Sequence, residues 1–331
     1  MKVADSEKPS VRYVEIDKNA ANQRVDNFLL TALKGVPKSW IYRVIRKGEV
    51  RVNKKRIKPV YRLCVGDWVR IPPLRQAAPG DAVHIPHYWL QAVQNATLYD
   101  DNDLLVINKP SGLAVHSGSG LSYGVIDALR QLRGESEFLE LVHRLDRDTS
   151  GCLMIAKNRA TLLLINDLLK QGGVKKTYKA LLYGAIDQHV DVQAPLLKIS
   201  APNGERRVVV ADEGKHADTH IHLRTIYLRE KSESVSSEPV SYVDIEIGTG
   251  RTHQIRAHAA HIQHPVAGDD KYGDRRFNQV IKTEGLERLF LHAAKLEFCL
   301  DDGGKSKRIS INAPLPDELS KVLATLAAPP C

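Results

Sequence analysis

Apolar residues recur with helical spacing near the start of the chain, between a proline at position 37 and a glycine at position 48. At about 100° per residue, Ile41, Val44 and Ile45 fall on one face, while charged residues spread over the other. Proline suits the first turn of a helix and glycine suits its end. The spacing therefore predicts a short amphipathic helix over Lys38–Lys47, which packs on one side and presents cations on the other.

Strands are predicted where apolar and polar residues alternate or where short apolar runs occur. Glu49–Val52 alternates in this way, and Val69–Ile71 ends a second short strand before two prolines. Leu104–Ile107 and Cys152–Ala156 are apolar runs of strand length, and a helix is predicted over Ala160–Gln171, before two glycines. This mixture predicts an α+β protein, with a small αβ module followed by a larger domain built on a mostly antiparallel sheet.

Changes in composition give the predicted domain boundaries. Residues 1–20 are expected to form a flexible N-terminus, 21–73 the small module, 74–87 a linker rich in proline, glycine, alanine and glutamine, and 88–331 the larger domain. A segment rich in serine and glutamate, Arg229–Ser241, is predicted to be a surface loop between strands. The chain is therefore expected to fold as two domains joined by a short linker.

The positive charge of the chain is concentrated in the small module. The 331 residues carry a net charge of +9, and Lys38–Arg62 alone holds ten basic residues against one acidic residue, also a net of +9. The rest of the chain is therefore balanced in charge. One-sided charge on an amphipathic helix favours a polyanionic partner over an ordinary solvated face. The candidate binding residues are Lys38, Arg43, Arg46, Lys47, Arg51, Lys54, Lys55 and Arg56.

Composition argues against several classes of protein. The four cysteines are scattered without a C-x-x-C pair, so neither a disulfide framework nor a cysteine zinc site is predicted. The first residues, Met1–Pro9, are polar, and no apolar run behind them is long enough for a signal peptide or a membrane span. We therefore expect a cytoplasmic protein without a membrane partner.

The densest chemistry lies in Val142–Gly151, where two carboxylates and three potential cations occur in ten positions before an apolar strand. One of the carboxylates, Asp146 and Asp148, is available for chemistry if the other caps the following turn. On residue types alone, a purely structural turn is an equally good interpretation. A pair of acids of the glycosidase kind is a further alternative, but sequence spacing does not give the separation in space that such a pair needs.

Four segments follow one another in a fixed order along the larger domain. They are Asn108–Gly112 with Val115–His116, His143–Asp146 with Thr149–Gly151, Lys176–Ala180 with Gly184, and Thr249–His258, which His264–Pro265 and Asp270–Asp274 continue. Together these segments resemble the motifs of the RluA-type family of RNA pseudouridine synthases. In the small module, Gln23–Leu29, Val36–Ser39, Arg46–Asn53 and Gly66–Asp67 resemble the S4 RNA-binding domain. That domain places its basic helix against structured RNA, so the eight cations named above become the predicted RNA-binding residues.

The resemblance implies an enzyme that isomerises uridines, and it assigns site residues. Asp146 is implied as the catalytic carboxylate, acting either as a nucleophile or as the base that removes a ribose proton. Arg256 is implied as the ion-pair partner of Asp146, and Tyr178 as the ring on which the target base stacks. Arg144 is implied as the side chain that fills the gap left when the base flips out of its helix.

The pairing of an S4 module with these motifs implies large-subunit ribosomal RNA as the partner, before or during assembly of the subunit. No cofactor and no metal are expected, because the isomerisation needs neither and the family uses none. The run of His253, His258, His261 and His264 has no acidic or cysteine ligand nearby, and Gly118–Gly120 lacks the frame of a nucleotide-binding loop. Two alternatives stay open: an RNA N-glycosidase that uses the same carboxylate, and an S4-type ribosome-assembly factor that binds RNA without catalysis.

Overall fold

The computed structural model describes residues 10–33, 36–73, 84–118, 121–134, 137–200, 206–228, 239–302 and 305–327. These residues fall into two compact units, divided between His84 and Ile85, with Asn158–Ala160 grouped with the first unit. Parts of four segments discussed above lie outside the described residues: 1–9 of the N-terminus, 74–83 of the linker, 119–120 of the glycine-rich segment and 229–238 of the surface loop.

The first unit combines two helices with an antiparallel sheet. Among its described residues the elements are β1 (Arg12–Glu15), α1 (Val25–Ala32), α2 (Lys38–Lys47), β2 (Arg51–Val52), β3 (Lys55–Arg56) and β4 (Trp68–Ile71), and the sheet order is β1-β4-β2-β3. The helix predicted over Lys38–Lys47 is confirmed. Its residues Ile41, Val44 and Ile45 are buried, and Gly48 ends it in the left-handed conformation that glycine adopts without strain.

Strand β1 lies within residues 1–20, which were expected to be flexible. It pairs antiparallel with β4 along its whole length and so completes one edge of the sheet. The expectation is therefore wrong for residues 12–15. The reason is that a segment of four residues with two apolar side chains is too short to show a period, and the strand is held by backbone pairing and by the following Ile16, which is buried in the core of the unit.

The second unit is built on a large sheet of ten strands among its described residues. Its elements are α3 (His87–Gln94), β5 (Thr97–Asp100), β6 (Leu104–Lys109), α4 (Val125–Arg133), β7 (Glu140–Leu141), β8 (Ser150–Ala156), α5 (Arg159–Lys170), β9 (Val174–Tyr183), β10 (His189–Gln193), β11 (Leu196–Ser200), β12 (Arg206–Val210), β13 (Asp218–Tyr227), β14 (Val240–Ile247), α6 (Gln254–His261), α7 (Arg275–Thr283), β15 (Leu291–Asp302), β16 (Lys305–Asn312) and α8 (Asp317–Ala327). No helix within the described ranges is both long and apolar enough to cross a bilayer.

The sheet order is β10-β13-β14-β9-β15-β8-β6-β5, with β16 paired to β15 and β7 paired to β8. Every pairing is antiparallel except that of β8 with β15, which is parallel. Strands β11 and β12 form a separate hairpin. The mostly antiparallel sheet predicted from the sequence is therefore confirmed.

One face of the sheet carries the largest apolar cluster of the second unit. In it Ile221 of β13, Ile245 of β14 and Tyr178 of β9 lie side by side across three strands. Leu145 and Ile255 belong to the same cluster. Because these two residues directly precede Asp146 and Arg256 in the chain, this face of the sheet brings two of the distant sequence motifs together.

A glycine permits the close approach of two strands at the end of the segment Val142–Gly151. Gly151 of β8 has a φ of +110°, and a Cβ at this position would lie 2.2 Å from the backbone oxygen of Ala293 in β15. Only glycine tolerates both the backbone conformation and the contact. The parallel pairing of β8 with β15, which begins at Ser150 and Gly151, therefore depends on this residue.

Candidate active site

Asp146 lies in the loop between β7 and β8, and a buried lysine fixes that loop. Lys109, at the end of β6, is completely buried, and its Nζ donates hydrogen bonds to the backbone oxygens of Leu113 and Arg147, at 2.8 and 2.9 Å. Burial lowers the pKa of Lys109 to about 7, although the charge of Asp148 opposes the shift. The backbone of Arg147, the residue after Asp146, is thereby hydrogen-bonded to the end of β6. This contact fixes the position of the backbone that carries the Asp146 carboxylate.

The side chain of Asp146 is oriented by an arginine that is itself held by a second carboxylate. Arg256 of α6 donates from Nη1 to Oδ2 of Asp146 at 3.1 Å. The same guanidinium donates from Nε and Nη2 to both oxygens of Asp269, at 2.7 and 2.8 Å. The Asp269 side chain is fully buried, whereas Asp146 keeps 16% of its side chain exposed. The arginine is thus anchored rigidly on one side and touches the more accessible carboxylate on the other.

The charges of this group reinforce one another. Burial opposes the charged form of Arg256, but Asp269 and Asp146 outweigh it and raise the pKa of Arg256 above its ordinary value. Burial likewise opposes ionisation of Asp269, yet its hydrogen bonds from Arg256 hold its pKa below the usual range. Arg256 and Asp269 therefore remain a buried ion pair at neutral pH.

A histidine lies on the other side of Asp146. Nε2 of His253 is 3.8 Å from Oδ1 of Asp146, and Nδ1 is 2.8 Å from the hydroxyl of Tyr272. That hydroxyl accepts a hydrogen bond from the backbone N–H of Val208 at 2.9 Å, so its own proton is left to donate to Nδ1. Burial lowers the pKa of His253, which favours the neutral ring. The network therefore assigns the imidazole proton to Nε2, where it faces Asp146.

His253 is held in an unusual backbone conformation. It precedes α6 with φ 52° and ψ 22°, in the left-handed region that branched and bulky residues rarely occupy. The Tyr272 ring packs edge-on against the imidazole and also lies 5.1 Å from the guanidinium carbon of Arg256. One tyrosine thus supports both groups that flank Asp146.

Tyr178 lies beneath this group, on the apolar face of β9. Only 8% of its surface is exposed, and it shares the cluster of Leu145 and Ile255. Burial raises the pKa of the Tyr178 phenol, and the Asp146 charge adds to the shift, so the hydroxyl stays protonated. Little of the Tyr178 ring is open to solvent in this structure, so only a small part of it is available to a stacked base.

Asp146 opens into a cleft of about 930 Å³, a volume within the usual range for sites that bind small ligands. Its lining holds five acidic side chains and seven basic ones, and the basic ones would attract phosphate groups. They are Arg144, Arg147, Arg256, Lys271, Arg275, Lys282 and Arg288. Arg144 is exposed at this cleft, two residues before Asp146 in the same loop. The structure therefore brings Asp146, Arg256 and Arg144 together, with Tyr178 packed below them.

The eight predicted RNA-binding cations all belong to the first unit. Each has an exposed side chain, on α2 and on the hairpin of β2 and β3. The exposed Arg43 and Arg46 lie on the helix face opposite the buried Ile41 and Val44. The first unit therefore carries a basic surface made of Lys38, Arg43, Arg46, Lys47, Arg51, Lys54, Lys55 and Arg56.

Four residues of the site were not predicted from the sequence: Lys109, His253, Asp269 and Tyr272. Lys109 and His253 stand inside motifs quoted above, and Tyr272 stands inside the segment that continues them, but sequence spacing does not show which residues they contact. Asp269 directly precedes that segment. In the sequence, the indication that Asp269 belongs to the site is its position next to the segment Asp270–Asp274.

The run of histidines considered above does not converge on one point. His258 is buried, with its ring nitrogens 2.9 Å from Thr219 Oγ1 and 2.9 Å from the backbone oxygen of Ala194. His264 Nδ1 lies 2.7 Å from the backbone oxygen of Tyr183. Together with the contact of His253 to tyrosine, these bonds give the three histidines separate structural partners.

The fold and the site define the class of the protein. The sequence profile of the family described as RNA pseudouridylate synthase matches residues 103–261, which include Asp146, Tyr178 and Arg256, and that of the S4 domain matches residues 23–69. The chain belongs to the RNA pseudouridylate synthase family, with an S4 domain at its N-terminal side. It is therefore an isomerase, and the family and fold class predicted from the motifs are confirmed.

Individual relatives resemble the chain over almost its whole length. "Ribosomal large subunit pseudouridine synthase C" of Escherichia coli strain K12 is 50% identical over 325 residues, which cover 97% of this chain and 98% of the relative. The protein of the same name from Pasteurella multocida is 48% identical over 319 residues, covering 96% and 94%. Among solved structures, human RNA pseudouridylate synthase domain containing 4 is 26% identical, with a TM-score of 0.55, over 72% of this chain and 95% of the human one.

Proposed function

We propose that the chain converts specific uridines of large-subunit ribosomal RNA to pseudouridine, acting in the cytoplasm before or during assembly of the subunit. The names of relatives about half identical over nearly the full chain support this substrate. The basic surface of the first unit supports a polyanionic partner in the same way. A target base inside a helix has to leave its stack to be reached, which is easier in RNA not yet packed into a subunit.

Asp146 is the proposed catalytic carboxylate. The reaction breaks the glycosidic C–N bond of uridine and rejoins the base to the ribose through carbon, so no electrons are exchanged with a partner and no cofactor is required. Both routes considered above, attack by the carboxylate and removal of a ribose proton, require an ionised side chain with a free oxygen. The single observation that carries the proposal is the 3.1 Å contact of Asp146 with the anchored guanidinium of Arg256, at the wall of the cleft.

Arg256 is proposed to aim the Asp146 carboxylate and to balance its charge, and Asp269 to hold Arg256 in place. A guanidinium anchored by two bonds to a buried carboxylate loses little freedom when it pairs with Asp146, so the site is already organised before RNA binds. His253 lies beside the other oxygen of Asp146 at 3.8 Å, beyond hydrogen-bond length, so it borders that oxygen without occupying it.

Arg144 and Tyr178 are proposed to act on the base and its former place in the RNA. Arg144 is exposed at the mouth of the cleft, where a long cationic side chain is suited to enter a gap in a stacked helix. Tyr178 is proposed to contact the base and ribose from below, with its protonated hydroxyl close to Asp146. The eight cations of the first unit contribute affinity for phosphate, and not choice of base.

The test uses large-subunit ribosomal RNA labelled with tritium at uracil C5. A synthase releases the tritium to water, an N-glycosidase releases labelled uracil, and a protein that only binds RNA releases neither. We expect the wild-type chain to release tritium from large-subunit RNA and not from small-subunit RNA. Asp146→Asn should bind RNA and release none, because the amide keeps the size of the side chain but removes its charge.

Asp148→Asn is the matched control. Asp148 stands two residues further along the same loop, and its side chain makes an exposed ion pair with Arg147 at 3.0 Å, a contact of small energetic value. The control variant should therefore release tritium at nearly the wild-type rate. Release by Asp146→Asn would refute the role given to that carboxylate, and equal release from both subunit RNAs would refute the proposed substrate.

A further inference from the structure

A cluster of histidine and aspartate side chains lies on the sheet face that the catalytic site does not use. Strand β10 is the edge strand of the sheet, and its pairing with β13 sets His189 opposite His222 and Asp191 opposite His220. Residues opposite one another, or two apart on one strand, share a face. The alternate residue Ile221 points to the apolar face that carries Tyr178, so these four side chains point away from Asp146.

The nitrogen and oxygen atoms of three of these residues converge. Oδ1 of Asp191 lies 2.9 Å from Nε2 of His189 and 2.5 Å from Nδ1 of His220. The donor atoms of the three residues all lie within 4.8 Å of one another. Hydrogen bonds from the two imidazoles hold the pKa of Asp191 below its usual value, so it is ionised at neutral pH.

The second nitrogen of His189 is within hydrogen-bond distance of a neighbouring side chain, and that of His220 faces a carboxylate at a longer distance. Nδ1 of His189 lies 3.1 Å from Nδ1 of His222, and Nε2 of His220 lies 3.8 Å from Oδ2 of Asp218. Histidines that bind metals usually direct their remaining N–H to an acceptor, which fixes the tautomer and the orientation of the ring. His222 and Asp218 stand where such acceptors are needed.

We propose that His189, Asp191 and His220 form a binding site for a divalent transition-metal ion such as Zn²⁺. The ligands would be His189 Nε2, Asp191 Oδ1 and His220 Nδ1, with water at the fourth position of a tetrahedron. Such an ion separates its ligand atoms by roughly 3.3 Å, from bonds of about 2.0 to 2.2 Å. The side chains are 50%, 47% and 38% exposed, so they have room to open by the fraction of an ångström that this requires.

The choice of ion follows from the ligands. Imidazole nitrogen with one carboxylate suits Zn²⁺ and its neighbours in the transition series, whereas Mg²⁺ and Ca²⁺ prefer sites made of oxygen alone. Among the described residues β10 pairs with β13 alone, and a strand at the edge of a sheet leaves backbone groups on its outer side unpaired. The bound ion therefore acts as a clip between β10 and β13, on the face remote from catalysis.

The test is calorimetric titration of Zn²⁺ into the full chain without an affinity tag, together with the unfolding midpoint Tm. We expect one equivalent to bind, an excess of Mg²⁺ to leave that binding unchanged, and Tm to rise with Zn²⁺. His220→Ala should weaken binding by about tenfold or more and abolish the rise in Tm, and Asp218→Asn should weaken binding by about tenfold. Asp191→Asn provides a second ligand variant of nearly the same size.

His87→Ala is the matched control, because His87 is also exposed but stands on α3, away from the cluster. It should bind Zn²⁺ as the wild type does. Equal affinity in the wild type and in His220→Ala would overturn the proposal, since binding would then belong to scattered surface histidines. Absence of binding in the wild type would overturn it as well.

Discussion

Replacing Asp269 by asparagine tests the chain of contacts that holds the catalytic group. Oδ1 of Asp269 accepts hydrogen bonds from Nη2 of Arg256 at 2.8 Å and from the backbone N–H groups of Lys271 and Tyr272, at 2.9 and 3.0 Å. Oδ2 accepts from Nε of Arg256 at 2.7 Å. An asparagine oxygen can replace Oδ1, but its NH₂ group then faces the Nε–H, donor against donor.

The expected loss follows from this geometry. The variant loses a charge-assisted hydrogen bond, worth about 1.5 to 3 kcal/mol, and removal of one partner of a buried ion pair costs about 3 to 5 kcal/mol. Arg256 still keeps Asp146 as a second carboxylate, so we expect the lower end of that range. The free energy of unfolding should fall by about 3 kcal/mol. Turnover should fall about 100-fold, because a shift of about 1 Å in a positioning group is enough for such a change.

The pH dependence has a definite sign. The folded-state pKa of Asp269 lies below its ordinary value, so the stability from its ion pair is fully present above that ordinary value and is lost as the pH falls through the folded-state pKa. The gap in stability between the wild type and Asp269→Asn should therefore be largest at neutral pH. It should narrow below about pH 4.

The assays are single-turnover release of tritium, urea unfolding at several pH values, and RNA affinity, which should not change. Asp270→Asn is the control, since Asp270 is the next residue and is exposed. Wild-type turnover and stability in Asp269→Asn would show that Arg256 is held by other contacts. Loss of stability without loss of turnover would separate the ion pair from catalysis.

Three further predictions concern other parts of the molecule. Replacing Arg43 and Arg46 together by alanine should reduce the slope of log affinity against log salt for RNA binding by about 1.5, measured by filter binding, with turnover at saturating RNA unchanged. Tyr178→Phe should keep the stability of the wild type, whereas Tyr178→Ala should lose about 3 to 5 kcal/mol in urea unfolding, because the ring is buried. Lys109→Met leaves buried carbonyl groups without their hydrogen-bond donor, so the free energy of unfolding should fall by about 1 to 3 kcal/mol. Tritium release should also fall, because the loop that carries Asp146 loses its hydrogen bond to the Lys109 side chain.

The pattern of apolar and polar residues within a segment was sufficient to predict elements that have their own apolar period and end signals. The helix from Lys38 to Lys47 has a proline before it, a glycine after it and apolar residues on one face, and it forms as predicted. Strand β1 has no such signal, because its residues are mostly exposed and its place is given by pairing with a strand more than 50 residues away. The sequence therefore predicts elements with an internal apolar period better than elements held by their neighbours.

The pairing of Asp146 with Arg256 joins residues 110 positions apart. No spacing rule predicts such a contact, and it was anticipated only because both residues lie in motifs of one family. The contacts of Asp269 and of His253 were not anticipated. Each depends on how the turn after α6 packs against the helix, and many backbone paths of the same length would leave these side chains apart.

Arg256 makes two hydrogen bonds to Asp269 and one to Asp146, and this distribution leaves Asp146 able to react. Both prongs of a guanidinium placed on Asp146 would occupy both of its oxygens and reduce its capacity as a base or nucleophile. Here the fork is committed to Asp269, which is fully buried, and Asp146 receives one bond of 3.1 Å on Oδ2. In the part of the chain that the structure describes, Oδ1 has the His253 ring at 3.8 Å, beyond normal hydrogen-bond length. Asp146 is thus held by a strong positive charge while one oxygen stays available at the wall of the cleft.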